Sequence, residues 1–266
     1  MNYKMIVLDM DDTLLTDDHT ISIRNRKAIK TAQEKGIYVV LASGRPTPAM
    51  ISFAKELELD KYNSYIISFN GGQIIEMATE KVIFEQSLAI KELHELFDFS
   101  ETNNTAFITY KNGKIVGTKE SKYIDIEKKL TGMAYQKVSD LKSEIQENCV
   151  KCLLLEDPEY LKTVETKLKK QRPDLSIATS KPFFLEVMPK GIDKAATLNR
   201  LINQLGILQK ETIAVGNAGN DLTMVEFAGL GVWVDNVTPE LRNRADIIVA
   251  SNNKDGVAEV IEKYIL

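Results

Sequence analysis

The chain has 266 residues, 44% of them hydrophobic and 27% charged, with a formal net charge of −4. That length exceeds a typical domain of roughly 100–200 residues, and the apolar share is enough for a real core, so one large α/β domain or two modest ones is expected. The acidic balance and the lack of any basic run argue against a nucleic-acid partner, and no apolar segment is long enough to span a membrane.

Met1-Asn2-Tyr3-Lys4 leads directly into an apolar run, without a charged-then-apolar leader, which predicts a cytoplasmic protein. The run Tyr3–Leu8 reads as a strand. Ser22 then caps a helix through Lys35 that Gly36 stops. "IYVVLAS" from Ile37 is apolar and β-branched, as a strand covered on both faces should be. A helix follows Pro46 and Pro48, and "SYIISFNGG" supplies a third strand ending at Gly71-Gly72. Strands alternating with helices imply right-handed crossovers and a doubly wound parallel sheet.

From Val82 the pattern changes. Asn112-Gly113 between Tyr110 and Ile115 is a two-residue hairpin signal, which does not belong in a parallel sheet. Residues 82–188 are therefore read as an inserted α+β module with helices near Lys91–Phe97, Ser121–Leu130 and Glu159–Lys170. The first pattern resumes with a helix Lys194–Leu205, the strands "TIAVGN", "GVWV" and "DIIVA", helices from Asp221 and near Pro239–Arg244, and a closing helix to Tyr264. The expected architecture is a Rossmann-like α/β core, residues 1–81 and 189–266, with that module inserted.

"VLDMDDTL" places Asp9, Asp11 and Asp12 directly after the first strand, where like charges repel. In open α/β sheets ligands collect outside the carboxyl ends of the strands. Each unusual polar cluster falls at such an end: the aspartates, then Ser43-Gly44-Arg45, then Asn70-Gly71-Gly72, then Asn217, Asn220 and Asp221 in "GNAGND". Lys194 opens a helix, where free N–H groups favour anions. Acidic clusters facing a serine, an arginine and a lysine point to a metal and an anion in one site. Hard oxygen ligands favour Mg²⁺ together with a substrate phosphate.

At these residues the chain resembles the haloacid dehalogenase superfamily. "DMDDT" matches its D-x-D-x-T signature, and "SGR" at Ser43, Lys194 and "GNAGND" are similar to its second, third and fourth motifs. Their order and the module between the second and third are most similar to the Cof-like sugar-phosphate phosphatases, which carry an α/β cap there. The resemblance implies that Asp9 is a nucleophile forming an aspartyl-phosphate and that Asp11 is the general acid and base. It implies that Ser43, Gly44, Lys194 and Asn220 bind phosphate, that Arg45 and Asn70 lie near the substrate, and that Asp9, Asp11, Asn217 and Asp221 serve Mg²⁺. It leaves hexose phosphates, pyridoxal phosphate and flavin mononucleotide open as substrates. The family usually has Asp where Asn217 stands; an amide oxygen ligates Mg²⁺ without adding charge, so weaker metal binding is expected. Asp12, where many relatives have Gly, is a milder departure.

A silenced binding or regulatory protein is the alternative that Asn217 raises, against which stands the retention of Asp9, Asp11, Ser43 and Lys194 together. A receiver-type domain would be about half this length, and a phosphomutase would be separated by its products. Cys149 and Cys152 form a C-x-x-C, but the few histidines lie far off and no zinc set is present, so both read as core residues. Tyr110, Tyr123, Phe183 and Phe184 of the inserted module could face a leaving group or simply pack.

Overall fold

The apolar runs become strands buried on both faces, because helices cover the sheet above and below. The computed structural model describes residues 3–266. In chain order β1 (Met5–Leu8), α1 (Ile23–Glu34), β2 (Tyr38–Ala42), α2 (Pro48–Glu56), β3 (Tyr65–Ser68), β4 (Gln73–Glu76) and β5 (Lys81–Glu85) come first. Then follow α3 (Ile90–Thr102), β6 (Ala106–Lys111), β7 (Lys114–Gly117), α4 (Lys122–Thr131), β8 (Tyr135–Lys137), α5 (Leu141–Glu144), β9 (Cys152–Leu155), α6 (Pro158–Gln171), β10 (Leu175–Lys181) and β11 (Phe184–Pro189). The last third holds α7 (Lys194–Leu205), β12 (Thr212–Gly216), α8 (Leu222–Phe227), β13 (Leu230–Val234), β14 (Ile247–Val249) and α9 (Gly256–Tyr264). The chain divides into one unit of residues up to Phe84 with Asp193–Leu266, and another of Glu85–Ile192.

In the first unit an eight-stranded sheet runs β14-β13-β12-β1-β2-β3-β4-β5. Side chains alternate across it: Ile6 and Leu8 of β1 pack towards α1, α2 and α9, and Met5 and Val7 towards α7 and α8. From β1 the chain steps outward to β2 and β3, then returns to β12 on the other side of β1 and steps outward to β13 and β14. The direction of winding reverses between β1 and β12, and that crevice is where ligands bind in such sheets. Asp9 and Asn217 follow the two strands that flank it.

Two sequence expectations change. The sheet is not parallel throughout: β4 returns antiparallel to β3, pairing Ser68 with Gln73 across the Phe69–Gly72 turn, and β5 extends that edge. Pro239–Arg244 forms a tight 3-10 stretch rather than an α-helix. Ser22 caps α1 as its sequence position suggests, its side chain accepting from the Asn25 N–H.

The second unit carries its own sheet, β10-β11-β9-β6-β7-β8. Asn112 and Gly113 both take positive φ, 48° and 73°, in the turn joining β6 to β7, as a primed hairpin turn requires. Helices α3 and α6 bury Leu93, Leu96, Leu161 and Val164 on one face. Cys149 and Cys152 are free thiols in that core, and burial pushes both up, away from thiolate reactivity. Among the described residues no helix is long and apolar enough to cross a membrane.

Candidate active site

Asp9 follows β1 in extended conformation, its N–H tied to the Val215 carbonyl of β12, so its side chain is fixed at the mouth of the crevice. The chain then coils through a tight turn, Met10–Leu14, with Asp12 at φ 57°. That left-handed value is why glycine suits this position; aspartate is among the few L-residues that tolerate it.

Lys194 lies beneath Asp9. Its helix is capped by Asp193, which accepts from the Ala196 N–H at 2.9 Å, and the lysine side chain runs inward, 1% exposed. The ammonium donates to Asp9 Oδ1 at 2.7 Å, Asp221 Oδ1 at 2.6 Å and the Ala42 carbonyl at 2.9 Å. An ammonium has three donors, so in this state all of them are used inside the protein. Lys194 thereby places a fixed charge beneath Asp9. Burial would lower its pKa, but the charges of Asp221 and Asp9 outweigh that and hold it raised.

Two buried carboxylates against one ammonium leave a net negative centre. Asp9 shows the consequence: burial and the nearby charge of Asp221 push its pKa up to about 7 in spite of Lys194. Asp221 is fully buried and both its oxygens are engaged, Oδ1 by Lys194 and Oδ2 by the N–H groups of Asn217 and Ala218 at 3.0 and 3.1 Å. It anchors Lys194 and shapes the loop after β12. Gly216 makes room for it, since a Cβ there would sit 2.5 Å from that of Asp221.

Asp11 is half-exposed and gripped by Arg45, with Nε to Oδ2 at 2.9 Å and Nη2 to Oδ1 at 2.6 Å. Burial raises this carboxyl, but the hydrogen bonds and charge of Arg45, aided by His19 and Lys194, bring it below the ordinary value. His19, 4.0 Å from Asp11 Oδ1, stands on a turn closed by the Leu15–Ile21 bridge. Arg45 itself lies over the Phe53 ring, 5.4 Å from its centroid. Ser43 is buried, and its Oγ accepts from the Arg45 N–H at 3.2 Å and donates to no acceptor among the described residues.

Gly44 is packed so closely under the Asn70 amide that a Cβ would lie 3.1 Å from it. Asn70 Oδ1 is buried without a hydrogen-bond partner among the described residues. Asn217 Oδ1 accepts from Thr13 Oγ1 at 3.2 Å, which ties the fourth motif to the first across the switch point. Asn220 is exposed on the turn before α8 and makes no side-chain hydrogen bond among the described residues. The sequence reading missed Thr13, His19, Thr197 and Gly216; only Thr13 carried a signal, as the last letter of "DMDDT".

Hard oxygen donors are present for a divalent cation: the Asp9 carboxylate, the Asp11 main-chain carbonyl and the Asn217 amide oxygen. The net negative buried centre also favours one. No set of three His, Cys, Asp or Glu side chains is grouped for metal among the described residues. The reason is local, since Asn217 brings an amide and Asp221 is taken by Lys194. The donor set fits Mg²⁺, with fewer charged ligands than two or three carboxylates would give.

In the second unit Tyr110 donates to Glu127 at 2.7 Å, and Tyr123 stacks on Phe183, which meets Phe184 edge-on. These aromatics pack within their own unit.

The family model for haloacid dehalogenase-like hydrolases matches residues 6–261. A putative phosphatase of Bacillus subtilis, YxeH, is 32% identical over 99% of both chains. The 5-amino-6-(5-phospho-D-ribitylamino)uracil phosphatase YcsE of the same organism is 31% identical over 100% of this chain and 97% of its own. The crystal structure of a haloacid dehalogenase-like hydrolase from Bacteroides thetaiotaomicron superposes with a TM-score of 0.95 at 38% identity, covering 98% of this chain and 99% of that one. The chain belongs to the haloacid dehalogenase-like hydrolase family and is a phosphatase of that family.

Proposed function

We propose that the protein hydrolyses a small phosphorylated metabolite in two phosphoryl-transfer steps, with Mg²⁺ as cofactor. The observation that carries this reading is the buried Asp9–Lys194–Asp221 group at the switch point, a carboxylate held rigid on a cation yet left with excess negative charge.

In the first step an Asp9 oxygen attacks phosphorus as the bond to the leaving oxygen breaks, giving an aspartyl-phosphate. Asp11 supplies the proton that the departing alkoxide takes up. In the second, Asp11 removes a proton from water; the water oxygen attacks phosphorus, the bond to Asp9 breaks, and inorganic phosphate leaves. Ser43 donates its hydroxyl to a phosphoryl oxygen, and the charge of Lys194 steadies the charge transferred through Asp9. Asp9, the Asp11 carbonyl and Asn217 would hold Mg²⁺, which when bound neutralises charge on the phosphoryl oxygens. Asp221 positions Lys194, Asn70 lies beside the phosphate loop, and residues 82–188 are assigned the role of a cap that selects the leaving group.

A relative named for a phosphorylated ribitylamino-uracil supports a small polyol or sugar phosphate as the substrate class. The test is hydrolysis of p-nitrophenyl phosphate across a Mg²⁺ titration, for the protein and for Asp9→Asn, followed by a panel of phosphorylated metabolites. The expected result is Mg²⁺-dependent turnover that Asp9→Asn abolishes; metal-independent turnover, or turnover retained in the variant, overturns the reading.

A further inference from the structure

We propose that Thr197 is a positioning residue, which through the turn Phe69–Gly71 fixes the spacing between the Ser43 loop and Lys194. The inference rests on the reading of Ser43 and Lys194 as the groups around the phosphoryl. Phe69, Asn70 and Gly71 have φ of 52°, 53° and 108°, three successive left-handed residues of which the first is a bulky aromatic. Such backbone persists only where its surroundings over-determine it.

Both sides of the turn are bonded to the site. On one side the Phe69 N–H donates to the Arg45 carbonyl at 3.0 Å and the Asn70 N–H to the Ser43 carbonyl at 2.9 Å, clasping the Ser43-Gly44-Arg45 loop. On the other, Thr197 Oγ1 donates to the Gly71 carbonyl at 2.6 Å. A Cβ on Gly71 would lie 2.5 Å from the Asp193 carbonyl, so only glycine lets the turn reach the start of α7. Thr197 is one helical turn beyond Lys194 and therefore on the same face, and it is 4% exposed. The lysine is fixed to Ala42 and the threonine to Gly71, so α7 is registered against the phosphate loop at two points. A misplacement on the order of 1 Å in such a site costs up to about a hundredfold in rate.

The test compares Thr197→Val, which keeps the shape and deletes the hydroxyl, with Thr197→Ser, which keeps the hydroxyl. The readouts are kcat and KM for p-nitrophenyl phosphate, competitive inhibition by inorganic phosphate, and Tm, with the kinetics taken well below every Tm. We expect Thr197→Val to lower kcat by about tenfold to a hundredfold and to weaken phosphate inhibition, and Thr197→Ser to restore both to within about threefold of the parent. If Thr197→Val does not fold, Thr197→Ala stands in for it. A purely structural hydroxyl would lower Tm and leave kcat and phosphate inhibition unchanged, which overturns the proposal, as does failure of serine to rescue. Asp9→Asn is run alongside: turnover retained there overturns the functional reading itself, independently of Thr197.

Discussion

Arg45 holds both carboxylate oxygens of Asp11 at 2.6 and 2.9 Å, from a guanidinium backed by the Phe53 ring. The sequence reading placed Arg45 beside the substrate; the structure also gives it a grip on the proposed proton donor. A general acid contributes typically about 10²–10⁴ in rate, and most where the leaving group is a poor one. Arg45→Gln releases Asp11 from this position while letting its carboxyl rise towards the ordinary value; the loss of position is expected to outweigh the gain in protonation and to slow hydrolysis of an alkyl phosphate at least about tenfold more than that of p-nitrophenyl phosphate, whose leaving group needs little protonation. Equal losses on both substrates would contradict an effect exerted through Asp11.

Asn217 keeps its amide oxygen beside Thr13, and under the proposed function that oxygen would be a ligand to the cation. Asn217→Asp adds a charged hard ligand without changing the size of the side chain. The half-saturating Mg²⁺ concentration is expected to fall, by about tenfold, with kcat changing less. A Mg²⁺ titration of turnover that superimposes for the two proteins would remove Asn217 from the ligand set.

Lys194 is the only positive member of a buried triad. Its removal leaves two buried carboxylates without a counter-charge, and breaking a buried pair in this way costs about 3–5 kcal/mol. Lys194→Met should lower unfolding free energy by about that much in urea titrations, and Asp221→Asn in the same chain should recover part of it, because one of the orphaned charges is gone. Additive losses would mean that the two residues are not coupled.

In the second unit, burial raises the pKa of Glu127, although Lys151 and the Tyr110 hydroxyl oppose the shift; Glu186 adds to it and Lys181 opposes it. A carboxyl raised on folding contributes stability that is present below its unfolded value of 4.5 and is lost as pH rises through the folded value. Glu127→Gln removes that loss and keeps an acceptor for Tyr110. The variant should melt above the parent near about pH 8, with the gap closing towards about pH 4. A gap that is constant with pH would show that folding does not shift the Glu127 carboxyl.

The site was legible because its chemistry sits at strand ends, and strand ends are readable from apolar runs followed by Asp, Ser-Gly or Gly-Asn. Lys194 was legible only in company, since a lysine opening a helix normally points to water. Its burial follows from its meeting Asp9 and Asp221, the first of them 185 residues away, which no local pattern encodes. For the same reason the partners of Asp221 were not legible: its carboxylate accepts from Lys194 and from the loop's own N–H groups, which only the folded chain brings together. The β4 edge was missed because Phe69 and Asn70, neither of them glycine, take the left-handed conformation that lets the chain reverse. Thr197 gave no signal, being one polar residue in an otherwise ordinary amphipathic helix.

The most direct test of the account is mass spectrometry of the enzyme quenched in acid during turnover with Mg²⁺ and an excess of substrate. The account predicts the added mass of one phosphoryl group on the peptide that carries Asp9, absent from Asp9→Asn and lost when turnover is allowed to finish. A protein that turns over substrate with no phosphoryl group on that peptide, or with the group on another residue, would contradict it.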